Sequence, residues 1–207
     1  MADIRSNVVG PVVCTMSISL DGYGAGDHQS AERPLGDIDE GVLHRWMFDT
    51  PEENQAEIDA ITAAGAFIMG RNMFGPIRGE WSGDWTGWWG PNPPYHRPVF
   101  VLTHHARAPL EMEGGTTFNF VTDGIESALE RARAAAGELP VHIAGGPSTS
   151  NQFLAAGLVD ELRLQISPAI IGHGERLFEG VPSLELETIS VRPASLVTHV
   201  HYRAKKR

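Results

Sequence analysis

The residues best suited to chemistry stand where apolar runs break into glycine. Residues 141–144 form a short apolar run that ends at Gly145-Gly146, and Pro147, Ser148 and Thr149 then lead into a helix. Glycine lets a ligand approach the backbone with no Cβ in the way. The first N–H groups of a helix have no partner inside it and face an anion. This turn is therefore a candidate phosphate seat, although such turns also occur where nothing binds. Two other apolar runs end in a comparable way, at Gly70-Arg71 and at Thr103-His104. Asp21, in Leu20-Asp21-Gly22, closes the first strand, and Asp-Gly is also a strong turn signal in its own right. Four tryptophans, Trp81, Trp85, Trp88 and Trp89, crowd a Gly- and Pro-rich stretch. They suit either stacking on a flat ring or burying a long connection against the core. Among the nine histidines, His199 and His201 share a strand face and His104 adjoins His105, but no third ligand stands at a zinc spacing.

The elements that must hold these residues follow from periodicity. Val12–Ser19 alternates in the manner of a strand. Residues 23–39 read as a long loop, and a helix is expected over 41–48. Thr50-Pro51-Glu52-Glu53 marks a helix start with Thr50 as cap, an apolar stripe of Ile58, Ile61 and Ala64, and Gly65 as its end. Strands follow at 66–69, 99–103 and Thr117–Val121. A helix capped at Asp123-Gly124 runs to Ala136, buries Ile125, Leu129, Ala132 and Ala136, and stops at Gly137. Thr149 and Gln152 form a capping box for the next helix. Glu161–Ser167 alternates with Leu162, Leu164 and Ile166 inward. Runs at 184–191 and 196–202 flank Pro193-Ala194, which suggests a C-terminal hairpin. Strands alternating with helices imply an α/β fold in three layers. A mostly parallel central sheet carries helices on both faces and ends in an antiparallel hairpin. Ligands of such sheets bind outside the carboxyl ends of the strands, where all three glycine- or threonine-bearing turns lie.

Composition narrows the function class. The 207 residues suit one domain spanning 1–207, with 42% hydrophobic and 20% charged residues. A net charge of −10 leaves no basic stripe for nucleic acid, and the only lysines, Lys205 and Lys206, stand in the tail. The single cysteine, Cys14, lies in an apolar strand as a buried thiol. No apolar run approaches membrane-spanning length and no signal-peptide core precedes the first strand, so a cytoplasmic protein without a membrane partner is expected.

Five stretches taken in order carry a family resemblance: MSISLDG at 16–22, FIMGRNMFG at 67–75, PVFVLTHHAR at 98–107, IAGGPSTSNQFLAAGLVDEL at 143–162 and PAIIGHGERLF at 168–178. Together the chain resembles the dihydrofolate-reductase-like superfamily. More narrowly, it is similar to stand-alone relatives of the reductase half of the riboflavin-pathway bifunctional deaminase–reductase. The resemblance implies a dihydrofolate-reductase-like fold and an NADPH-dependent oxidoreductase. Such an enzyme passes a hydride to a C=N or C=O of a small heterocyclic substrate, in the manner of 5-amino-6-(5-phosphoribosylamino)uracil reductase or dihydrofolate reductase. A non-catalytic nucleotide or small-molecule binder on the same fold is the alternative.

The resemblance also assigns roles. Gly70 and Arg71 match a turn in which the guanidinium faces a cofactor phosphate. Thr103 and His104 match the strand end that meets the adenosine ribose or its 2′-phosphate. Gly145, Gly146, Pro147, Ser148 and Thr149 match the pyrophosphate turn. Asp21 is the carboxylate matched to the catalytic and substrate position, and Trp81 is the tryptophan expected at the substrate. A homodimer is implied as well. The zinc deaminase half is absent, since no His-x-Glu paired with Pro-Cys-x-x-Cys occurs. The loop after Asp21-Gly22 departs from the riboflavin reductase pattern. Cations for a ribose phosphate (Arg33, Arg45, Arg78, Arg97) are scattered, and no single helix carboxylate stands out among Glu40, Asp49 and Glu53.

Overall fold

A computed structural model describes residues 9–39, 41–75, 78–81 and 84–205. Its strands are β1 (Val12–Ser19), β2 (Tyr23–Ala25), β3 (Ala66–Gly70), β4 (Pro98–Leu102), β5 (Leu110–Glu111), β6 (Thr117–Val121), β7 (Val141–Ile143), β8 (Glu161–Ser167), β9 (Glu175–Arg176), β10 (Leu186–Ala194) and β11 (Val197–Ala204). Its helices are α1 (Arg45–Phe48), α2 (Pro51–Thr62), α3 (Arg71–Phe74), α4 (Ile125–Ala136) and α5 (Pro147–Ala155). Nine strands form one sheet in the order β10-β11-β8-β1-β7-β3-β4-β6-β5. The six strands from β8 to β6 run parallel, while β11, β10 and β5 run antiparallel to their neighbours. This is the expected dihydrofolate-reductase-like, mostly parallel arrangement. No described helix is long and apolar enough to cross a membrane.

The two faces of the sheet differ in chemistry. On one face Val12, Cys14, Met16, Ile68 and Ile143 pack with Leu129 and Ala132 of α4 and Phe153 of α5. Burial pushes the Cys14 thiol up to about 11, which keeps it protonated and inert. On the other face Phe67, Met69, Val99 and Phe118 pack with Phe74, Tyr95 and the tryptophan stretch. Toward β8 and β11 that same face turns polar: His142, Gln165 and His199 are all buried there. α2 lies over this polar patch. Its Asn54 is buried and bonds His199, and its Glu57 pairs with Arg192.

Several local expectations change. Residues 23–39 are not loop throughout, because β2 pairs with β9 in a separate two-stranded sheet. The expected helix at 41–48 shortens to Arg45–Phe48. Thr50 makes no capping bond; its hydroxyl donates instead to the Trp46 carbonyl at 3.2 Å. The buried residue of α2 is Asn54, while Ile58 and Ile61 are half-buried, since the helix covers a polar patch. α5 is capped by Gly146 with Pro147 at its first position, which moves Thr149 inside the helix. The hairpin turns at Ser195-Leu196, and Pro193 lies within β10. That strand is at the sheet edge, where a missing N–H is tolerated.

Candidate active site

The three turns meet at one end of the sheet. β3 and β7 are parallel neighbours, so their carboxyl ends place Gly70 beside Gly145. The Gly70 N–H donates to the Gly145 carbonyl at 2.8 Å, and Ala144 donates to Ile68 at 2.8 Å. A Cβ on Gly70 would lie 2.3 Å from Oγ1 of Thr149, and one on Gly146 would meet nothing. Gly70 is thus required by close packing, whereas Gly146 presents open backbone to the groove. Gly145 has a φ of 105°, in the left-handed region that favours glycine.

A cavity of about 370 Å³ runs along these turns, lined by Gly70, Arg71, Thr103, His104, Gly146, Ser148 and Thr149 among others. Seven of the nine residues expected at the cofactor are therefore drawn together around one groove, and Gly145 is hydrogen-bonded to one of them, Gly70. Pro147 lies against a neighbouring cavity on the other side of Gly146. Thr103 is buried, and its hydroxyl accepts the His105 N–H at 3.1 Å, so it shapes its own turn. His104 is exposed on the groove rim.

The groove concentrates positive charge within an acidic protein. The Arg71 guanidinium lies over the Trp81 ring at 3.9 Å, and Arg107 approaches the same ring at 5.1 Å. Nε and Nη2 of Arg71 are buried without a hydrogen-bond partner among the described residues. Burial pulls the Arg71 pKa below the ordinary arginine value, Glu80 opposes this, and Arg78 and Arg107 add to it. A guanidinium held in this way, with donors unsatisfied beside exposed backbone N–H groups, fits a phosphate of a dinucleotide.

A second cavity of about 300 Å³ adjoins the first, and Asn72, Gly146 and Glu175 line both. Its walls include Met16, Met47, Met73, Trp88 and Trp89, and its polar groups include His44, His142 and Gln165. Glu175 reaches this junction on β9, where its Oε1 accepts from Asn72 at 3.3 Å.

Asp21 is not brought to this junction. Its carboxylate accepts from the Ser19 hydroxyl at 2.6 Å and from the backbone N–H groups of Ile171 and Gly172 at 3.1 and 2.7 Å. These bonds, led by Ser19, hold its pKa below the usual carboxylate range. It pins a loop and faces neither cavity. Trp81 is likewise not at the second cavity. Its Nε1 donates to the His105 carbonyl at 2.7 Å, and its ring packs on Phe74 and Phe120. Of the helix carboxylates, Asp49 pairs with Arg45, Glu53 accepts from Ser195, and Glu40 lies outside the described residues. Sequence reasoning missed Glu175, Asn72 and His142. Glu175 stands inside the 168–178 stretch that carried the resemblance, which was the available signal.

Residues 11–200 match the model of the RibD C-terminal domain family. A Bacillus subtilis protein described as uncharacterized protein YyaP is 25% identical over 192 residues, covering 89% of each chain. The structure of a putative riboflavin biosynthesis protein from Shewanella sp. PV-4 superposes with a TM-score of 0.62 at 22% identity, over 95% of this chain and 99% of that one. Dihydrofolate reductase from Enterococcus faecalis, complexed with NADP(H) and RAB-propyl, gives a TM-score of 0.59 at 13% identity, over 95% and 98%.

Proposed function

Because the chain belongs to the RibD C-terminal domain family, we propose that it is an NADPH-dependent reductase acting on a C=N or C=O of a small heterocyclic substrate. One observation carries this reading: the buried, partnerless donors of Arg71 lie beside the Gly70 and Gly145-Gly146 turns, in a groove that opens onto a second cavity. The Enterococcus faecalis neighbour, solved with NADP(H), supports the cofactor assignment.

When bound, the reduced nicotinamide supplies the hydride. Arg71, stacked on Trp81, binds phosphate, and the first N–H groups of α5 at Ser148 and Thr149 receive further negative charge. Gly146 lines both cavities and carries no side chain, so it would leave room for a cofactor held between them. Met73, Trp88 and Trp89 exclude water from the second cavity and flank a flat ring. Glu175, at the junction, is the carboxyl group placed to hold or pass the proton that reduction requires.

The test is a fluorescence titration with NADPH and NADH, followed by loss of nicotinamide absorbance with pterins and pyrimidine precursors. Tight NADPH binding with turnover of one such heterocycle is the expected result. Tight binding with no turnover of any of them favours the non-catalytic binder, which the turned-away Asp21 also favours. Binding of neither dinucleotide overturns both.

A further inference from the structure

The second cavity differs from the first in charge. The groove at Gly70 and Gly146 is lined by Arg71 and Arg78, together with His104 and His105. No lysine or arginine is among the described residues that line the second cavity. Among the described lining residues its one acidic side chain is Glu175, at the junction. Its two histidines do not supply the missing cation. Burial lowers the pKa of His44, and it brings His142 down to about 4. Both rings are neutral at ordinary pH.

His142 also has a defined hydrogen-bonding state. It is 3% exposed, and its Nδ1 lies 2.7 Å from the Ile61 carbonyl. A carbonyl only accepts, so Nδ1 carries the proton and Nε2 of the neutral ring is a bare acceptor. That Nε2 is buried and has no hydrogen-bond partner among the described residues. The side chains of His44 and Gln165, also lining the cavity, make no hydrogen bond among the described residues. Gln165 is 4% exposed. A buried polar atom left open, as Nε2 of His142 is beside these two side chains, calls for a ligand that completes it. A phosphate brought among them would lose its hydration and gain no counter-charge.

We propose that the second cavity takes an uncharged, flat heterocycle that donates an N–H to Nε2 of His142, and that it rejects phosphorylated counterparts of the same ring. The substrate would then differ from the ribose phosphate implied by the riboflavin pathway. The assignment rests on the first cavity being the dinucleotide's, since that groove otherwise offers a second place for a phosphate.

The experiment uses the full chain saturated with NADP⁺, so that the first groove is filled. Uridine, 3-methyluridine and uridine 5′-monophosphate are titrated in turn, with tryptophan fluorescence and the ring-nitrogen resonances of His142 as readouts. Uridine is expected to bind at least about tenfold more tightly than either other probe, and to shift the Nε2 resonance. Equal or tighter binding of the monophosphate overturns the exclusion of phosphate. Equal binding of 3-methyluridine, an unmoved Nε2 resonance, or no binding of uridine overturns the role of His142. A separate NADP⁺ titration reports on the cofactor reading. If it fails, the Nε2 shift with uridine is still measured on the chain without dinucleotide.

Discussion

The Arg71 guanidinium sits 3.9 Å above the ring of Trp81, and the indole N–H of Trp81 is tied to the His105 carbonyl at 2.7 Å. The tryptophan therefore holds an arginine from one strand end against a loop from another. A stacked arginine has already given up much of its freedom, so an incoming phosphate meets a placed donor. Replacing Arg71 by alanine is expected to weaken NADPH binding by roughly 1–3 kcal/mol, the scale of a lost charge-assisted hydrogen bond. Trp81→Leu, which leaves the charge but removes its platform, is expected to weaken it by about 0.5–2 kcal/mol. Fluorescence titration of both variants checks this, and an unchanged affinity in Arg71→Ala removes that residue from the site.

Gly70 and Thr149 form a packing pair. Gly70→Ala places a Cβ 2.3 Å from the Thr149 hydroxyl, and the overcrowding is expected to destabilise the fold by about 1–3 kcal/mol. Removing the hydroxyl leaves the Thr149 Cβ at 3.5 Å, an ordinary contact. The double variant Gly70→Ala/Thr149→Ala should therefore be less destabilised than the sum of its two single changes. Urea denaturation of the four chains measures the coupling, and strict additivity would contradict the packing.

His142 gives stability a pH dependence. An unfolded histidine titrates near about 6.5, whereas the buried ring titrates at about 4, chiefly because burial penalises the charge. The Ile61 carbonyl opposes this shift and Arg163 adds to it. The unfolded chain thus binds more protons between these two values. Stability is full above about pH 6.5 and falls toward pH 4, by up to roughly 3 kcal/mol. His44 and His199, both lowered chiefly by burial, add slope of the same sign. Denaturation at about pH 7 and about pH 5 is expected to show the loss, and His142→Leu is expected to flatten it. An equal slope in that variant assigns the effect to the other two rings.

Glu175 and Asp21 are expected to separate cleanly. Glu175→Gln should lower kcat by about 10²–10⁴-fold while NADPH still binds. Asp21→Ala should lower the melting temperature, because two backbone N–H groups lose their acceptor, and should leave NADPH affinity unchanged. Loss of turnover in a fully folded Asp21→Ala, with Glu175→Gln active, would reverse the two roles.

Much of the frame is legible in the chain itself. The alternation in β1, β6 and β8 marks their bounds, and Gly137 ends α4 as its position past an apolar stripe predicts. What escapes is whatever depends on partners far along the chain. β2 and β9 span three and two residues, too few for any period, and each is a strand only because the other lies beside it. The expected Thr149–Gln152 capping box does not form, because Pro147 takes the first helical position and makes Gly146 the cap. The same division runs through the site. Gly70, Arg71 and Gly145-Gly146 are visible because backbone turns at strand ends have their own vocabulary. His142 and Glu175 look ordinary until the fold places one under a cavity and the other at a junction.

Asn72, Gly146 and Glu175 each line both cavities. On the proposed function, a ligand in one cavity rebuilds part of the surface met by a ligand in the other, and the two binding equilibria are expected to be linked. Linkage is reciprocal: the factor by which a nicotinamide dinucleotide alters the affinity for the heterocycle is the factor by which the heterocycle alters that for the dinucleotide. A thermodynamic cycle on this one protein closes on a single coupling free energy, whichever ligand is added first.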